Sequence, residues 1–325
     1  MRAAVVTADG HLAVEEVPGP EPGTGDVLVR VAACGICGSD LHMLSAGLIP
    51  PGAVMGHEPS GVVEAVGTDA SGVCVGDAVA IHPMQPCGTC DACTSGATQR
   101  CLMMGQTCLG LGTRPGAYAE YVTVPASEVH RLPEGFPVEL GALAEPLAVA
   151  LHGLRRSRLE PGMTVGVIGC GPIGLCAVVA ANALGAGEIW ACDPNEFRAE
   201  LAAAAGASRT SPSPLDADIV VEAAGAQGTV DLAVNATRGG GQVVLLAVNL
   251  AGDNVWPFVW VTKEVEIVPA LAYTRAEYGE AAEMIASGAV DVAPLVTRRV
   301  LLEETDQAFT DLLSGSPDGK VLVTP

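Results

Sequence analysis

The sequence predicts an α/β protein of two domains: a mostly β domain carrying metal loops, and a parallel sheet covered by helices on both faces. Three observations carry this reading. Residues 1 to about 149 hold short β-rich runs bounded by Gly, Pro or Asp, such as VLVRVAACG, SGVVEAVG, DAVAIHP and AEYVTVP. From about 150 to 285, helical stretches alternate with the runs VGVI, EIWAC, ADIVVEA, QVVLLAV and VEIVPALAY, a pattern typical of strands buried on both faces. A Gly-rich turn, Gly169-Cys-Gly171-Pro172-Ile173-Gly174, joins the first of these runs to a helix.

The individual elements follow in order. The run MRAAVVTADGHLAVEEV reads as two strands around a turn at Asp9-Gly10, with no apolar signal region. VPGPEPGTGD, 17 to 26, is a surface loop. Pro161 to Gly187 carries no charge and is long enough to cross a bilayer. The breaks at Gly169, Gly171, Pro172 and Gly174 divide it instead into a strand, Thr164 to Ile168, and a helix, Ile173 to Leu184. The tail offers a strand, Leu295 to Leu302, and a helix, Thr305 to Leu313, that could close back on the first domain. The expected division is therefore 1–149 with 286–325, and 150–285.

Composition narrows the function. At 325 residues two domains are favoured, and a hydrophobic fraction of 49% is ample for two cores. A net charge of −21 argues against nucleic acid and anionic membranes as partners, because nothing here would neutralise phosphates. Lys263 and Lys320 are the only lysines. Eleven cysteines is an odd count, with several in metal-type spacing; with no export signal, this points to free thiols in a reducing cytoplasm. Cys34, Cys74, Cys108, Cys170, Cys176 and Cys192 are expected mostly as small core residues.

Cys87, Cys90, Cys93 and Cys101 form C-x2-C-x2-C-x7-C, a spacing that folds four thiolates around one ion. Zinc accepts such a tetrahedral shell, and a closed shell is structural. Cys37 with His57 and Glu58 makes a second, mixed set, of the kind that keeps a position open for water or substrate. In the Gly-rich turn, Gly169 makes the bend, Gly171 admits a pyrophosphate and Gly174 lets helix and strand pack. Asp193 ends the run EIWAC, 19 residues after Gly174, where a carboxylate accepts the ribose hydroxyls of NAD and repels a 2′-phosphate. Arg198, one helical turn on, could instead attract that phosphate.

The strings CGICGSDLH, GHEPSGVVEAVG, GDAVAI, CGTCDAC, GAYAEYV, EPLAVALHG, VGVIGCGPIG and DGKVLV resemble the zinc-dependent medium-chain dehydrogenases over essentially the whole chain. The resemblance implies a GroES-like β domain, a Rossmann domain and an active site in the cleft between them. It implies a catalytic zinc on Cys37 and His57, with Glu58 beside it and Glu145 of EPLAVALHG as fourth ligand, where ethanol-type members have Cys. Glu145 matches the sorbitol, butanediol and threonine dehydrogenase branch. Asp40 would orient His57, Ser39 would contact the substrate oxygen, and His42 would pass the proton to solvent; His152 is left as a helix residue near the cleft.

The implied activity is hydride transfer between NAD(H) and a secondary alcohol, polyol or cyclitol, with two zinc ions per chain and a homodimer or homotetramer as the assembly. NADP is the less favoured cofactor. A threonine-dehydrogenase-like amino alcohol oxidoreductase ranks lower, because His82 stands slightly early and Met84 lies near the place of that subgroup's histidine. A binding or structural protein on the same fold is the rival outside enzymes. One departure concerns the sheet. Only SRTSPSPLDA separates the helix around 197 to 206 from DIVVEAAG, and Ser-Pro-Ser-Pro cannot run as a helix, so the Rossmann sheet is expected to be trimmed at one edge.

Overall fold

The computed structural model describes residues 1–212, 215–249 and 252–325. The chain opens with the hairpin β1 (Arg2–Val6) and β2 (Leu12–Glu16), turned at Gly10, whose φ of 82° lies in the left-handed region. β3 (Asp26–Gly35) leads into helix α1 (Gly38–Ser45). β4 (Glu58–Val66) and β5 (Ala78–Ile81) follow. The short helices α2 (Asp91–Thr94) and α3 (Met104–Thr107) lie in the cysteine lobe. β6 (Tyr121–Pro125) and β7 (Val129–Arg131) return to the sheet.

Helix α4 (Ala144–Arg156) crosses to a second sheet. That sheet is built from β8 (Thr164–Ile168), α5 (Pro172–Ala183), β9 (Glu188–Cys192), α6 (Glu196–Ala204), β10 (Arg209–Ser211) and β11 (Ala217–Glu222). It continues through α7 (Thr229–Ala236), β12 (Thr237–Leu245), α8 (Pro257–Lys263), β13 (Glu266–Pro269) and α9 (Arg275–Ala286). The tail supplies β14 (Val296–Leu301), α10 (Thr305–Leu313) and β15 (Lys320–Thr324).

Among the described residues the second sheet has the order β10-β9-β8-β11-β12-β13, with every pairing parallel. β8, the first strand, lies inside, and the chain winds outward from it in both directions. The crevice above β8 and β11 is therefore the switch point where such sheets bind ligands. The expected trimming takes a particular form. The edge strand is kept as the three residues of β10, and only 212–216 separate it from β11, with no helix among the described residues there. Residues 213 and 214 of the Ser-Pro-Ser-Pro run lie outside the described residues.

The first sheet runs β14-β15-β3-β4-β5-β7, with β6 also on β3. β3 is ten residues long, so one edge carries β6 at Asp26–Arg30 and β15 at Cys34–Gly35. The tail does close back on the first sheet, but through β15, which the sequence reading did not mark as a strand. β15 lies parallel to β14 and antiparallel to β3. Between the sheets, α4 is buried almost throughout. Leu147, Ala148 and Leu151 share one core with Ala33 and Ala80 on one side and with Val165 and Val244 on the other. That continuous apolar packing joins the two sheets. Among the described residues no helix is long and apolar enough to cross a membrane.

Candidate metal and active site

All eleven cysteines are free thiols. Cys87, Cys90, Cys93 and Cys101 bring their sulfurs within 4.8 Å of one another. A tetrahedral zinc–thiolate shell with arms of about 2.3 Å requires sulfurs roughly 3.8 Å apart. The sulfurs of Cys87 and Cys93 lie 3.9 Å apart, so the cluster fits zinc. Backbone amides point at the same sulfurs: Cys87 and Met103 donate to Cys101 Sγ at 3.3 and 3.4 Å. Backbone donation from Thr89 and Cys90 brings the Cys87 thiol down to about 6, towards the thiolate a metal needs. Burial pushes Cys93 up to about 12.

The second cluster is assembled from distant elements. Cys37 is the N-cap of α1, and His57 and Glu58 stand where the chain enters β4. Their sulfur, nitrogen and oxygen lie within 4.8 Å of one another, an S, N, O donor set that also fits zinc. Asp40 lies buried behind His57, with Oδ1 at 3.2 Å from His57 Nδ1, leaving Nε2 to face the cluster. Its other oxygen accepts from the Cys37 amide at 3.1 Å and from Tyr118 Oη at 2.7 Å. Burial works against a charged His57, but Asp40 and then Cys37 outweigh it, and the imidazole is held well above its ordinary value. Ser39 Oγ sits between the two ligand atoms, 3.2 Å from Cys37 Sγ and 3.4 Å from His57 Nε2. His42 lies three residues along α1 and is exposed.

Glu58 and Glu145 are both buried, at 0% and 8% exposure, and each has a partner the sequence did not announce. Lys320, at the start of β15, donates to Glu58 Oε1 and Oε2 at 2.7 and 2.6 Å and to the Ile36 carbonyl at 3.1 Å. A side chain at Gly35 would meet Glu58 Oε2 at 1.9 Å, so the carboxylate lies flat on a glycine. Tyr273 Oη donates to Glu145 Oε1 at 2.9 Å. Glu145 lies outside the group of Cys37, His57 and Glu58 whose ligand atoms fall within 4.8 Å of one another. Burial, and after it the charge of Glu58, raise its carboxyl to about 7.

The Gly-rich turn joins β8 to α5. Gly169 has φ 88°, and a Cβ there would lie 2.7 Å from Ala224. A Cβ on Gly174 would lie 1.8 Å from the Gly169 carbonyl, whereas nothing lies within 4 Å of one on Gly171. The third glycine is thus for packing and the second leaves open space. Pro172 and Ile173 open α5, whose free amides face the turn. Asp193, 7% exposed, accepts from the Cys170 and Asn195 amides at 2.8 Å each, so the strand end is stapled to the turn.

The profile of the alcohol dehydrogenase GroES-like domain matches residues 23–134, and that of the zinc-binding dehydrogenase domain matches residues 172–287. The chain is 34% identical to 2-dehydro-3-deoxy-L-galactonate 5-dehydrogenase of Pseudoalteromonas atlantica, over 93% of this chain and 92% of that protein. It is 33% identical to sorbitol dehydrogenase of Bacillus subtilis, over 100% of this chain and 97% of the relative. A crystal structure described as a zinc-binding dehydrogenase of Sinorhizobium meliloti 1021, bound to NADP, superposes with a TM-score of 0.92 at 31% identity, covering 100% and 99% of the two chains.

The chain belongs to the zinc-dependent medium-chain dehydrogenases. The first sheet of this dehydrogenase is its GroES-like part and the second its Rossmann-like part. Three residues behind its candidate site went unnoticed in the sequence: Lys320, Tyr273 and Tyr118. For Lys320 a signal existed, since one of only two lysines stands in the apolar run KVLV. The two tyrosines carry no local signal. His82 and His152 are accounted for without chemistry. His82 Nδ1 pairs with Glu128 at 2.6 Å, and His152 Nδ1 pairs with Glu277 at 2.9 Å. Glu277 in turn caps α9.

Proposed function

We propose that this dehydrogenase oxidises a secondary alcohol of the polyol or cyclitol class to its ketone with NAD, or runs the reverse reduction, at the Cys37–His57 cluster. The convergence of Cys37, His57 and Glu58 within 4.8 Å, with Ser39 Oγ 3.2 Å from Cys37 Sγ, carries this reading. The sugar-derived alcohols named for its relatives support the substrate class. Cys37 and His57 would hold a zinc ion, with Glu58 and Glu145 as the nearby carboxylates; Cys87, Cys90, Cys93 and Cys101 would hold another. At the first site zinc supplies a Lewis acid that favours the alkoxide form of an alcohol, and NAD supplies the hydride acceptor.

The chain's own residues do the rest. Asp40 fixes the His57 ring, so that Nε2 and not Nδ1 faces the cluster. Ser39 Oγ, between the two ligand atoms, is placed to accept the alcohol proton, and exposed His42 to release it to water. Gly171 and the start of α5 would hold the pyrophosphate, and Asp193 the adenosine ribose, which favours NAD over NADP. A panel of secondary alcohols, diols and sugar alcohols with NAD, read by NADH absorbance, tests the reading. No turnover of any by zinc-loaded protein would refute it.

We further propose a homodimer or homotetramer. Trp256, Phe258 and Val261 are 72%, 76% and 74% exposed on and beside α8, which packs by β12 near edge strand β13. Such a patch at a sheet edge supports association. Light scattering showing a monomer at micromolar concentration would refute it.

A further inference from the structure

Arg198 stands in the first turn of α6, five residues after Asp193. Its charge is felt at Cys170, inside the Gly-rich turn. The half-buried side chain turns to the tail: Nη2 donates to the Ser316 carbonyl at 2.9 Å, and Nε is buried without a partner. Ser316 belongs to the loop before β15, and so to the other sheet. One turn further on, Leu201 packs against the same loop; a Cβ on Gly319 would lie 3.3 Å from its Cδ1. The loop is fixed from within. Asp318 accepts from Ser316 Oγ at 2.8 Å and from Thr297 Oγ1 at 3.2 Å, and the Gly319 amide donates to Thr297 Oγ1 at 3.0 Å. A rigid acceptor with a charged donor makes a worthwhile bond.

We propose that Arg198 is a positioning residue that latches the tail loop Ser316–Gly319 to the nucleotide-binding sheet, and so sets dinucleotide affinity without reading the 2′-phosphate. This rests on the reading that the Gly169–Gly174 turn holds a dinucleotide. Without the latch, the arrangement in which α6 and the tail loop are joined is less populated. Apparent affinity then falls by the fraction lost, and by the same factor for NADH and NADPH. An arginine that bound phosphate would instead discriminate between them.

The test compares wild type, R198M and R198K as full-length zinc-loaded chains, titrated with NADH and with NADPH by fluorescence. R198M should weaken both by about tenfold, the worth of one charged hydrogen bond, with their ratio unchanged. R198K, able to donate to the same carbonyl, should recover most of the loss. In ligand-free protein, amides of residues 315–320 should exchange about tenfold faster in R198M. Weakening of NADPH alone, or of neither, overturns the latch. If wild type binds no dinucleotide, the proposed function fails, and exchange decides the latch alone: unchanged rates overturn it. If R198M does not fold, R198Q takes its place in every arm.

Discussion

The two metal-type clusters of this dehydrogenase are built in opposite ways. Cys87, Cys90, Cys93 and Cys101 come from one stretch of chain, partly open to solvent and supported by nearby amides. Cys37, His57 and Glu58 come from a helix cap and a strand entrance, are backed by Asp40 and Tyr118, and depend on a lysine from β15. A local cluster needs only the right spacing. A long-range cluster needs the whole fold, and in return is buried and polarised. The first suits holding a lobe together; the second suits chemistry.

Substitutions should separate the two most sharply. Wild type should hold two zinc ions by elemental analysis. Cys37→Ala or His57→Ala should lower turnover by more than the roughly 10- to 100-fold typical of a group behind a ligand, while NADH binding stays within about twofold. Cys90→Ser or Cys101→Ser should instead lower melting temperature and soluble yield first. A Cys90→Ser protein that is stable but inactive would erase the distinction.

Lys320→Met tests how far the long-range cluster relies on its tail. Removing one partner of a buried ion pair costs about 3–5 kcal/mol. Urea unfolding should show a loss of that order, and Lys320→Met with Glu58→Gln should regain a large part of it. A loss below about 1 kcal/mol would mean that the pair is solvated in practice.

Acid sensitivity should arise outside both clusters. Burial, then His82 and Arg275, push His130 down to about 4, against the opposing pull of Glu128. The unfolded chain therefore takes up the proton first as pH falls. Stability is full above the ordinary histidine value of 6.5 and is lost between there and about 4, by at most on the order of 3 kcal/mol. His130→Gln should flatten the dependence of unfolding free energy on pH over that window. An unchanged slope would assign the loss to other groups.

The smallest expected effect is on orientation. Asp40→Asn keeps the shape but loses the charge beside His57 Nδ1, and should lower activity and metal affinity by about 10- to 100-fold. Chelator competition checks the second part, which a change in proton transfer alone would leave untouched.

The same contrast explains what could be read in advance. C-x2-C-x2-C-x7-C and Gly169-x-Gly171-x-x-Gly174 are local patterns, so spacing alone located both, and alternating runs located strands β8, β9, β11, β12 and β13. Lys320 and Tyr273 act on residues 262 and 128 positions away, and no window of sequence contains both ends of either contact. β10 was missed because three residues beside a Ser-Pro run carry too little period to register. The resemblance implies Glu145 as a ligand; its bond to Tyr273 is one that only packing reveals.

The Lys320–Glu58 pair also has a consequence for synthesis. The lysine leaves the ribosome 262 residues after the carboxylate it must neutralise. At about 5–20 residues per second that is an interval of roughly 13–50 s. The cysteine lobe can close early in that interval, while Glu58 waits, without its counter-ion, for a partner still to be translated. Newly made chains should therefore pass through a form in which the cysteine lobe is closed but the Cys37–His57–Glu58 group is unfinished.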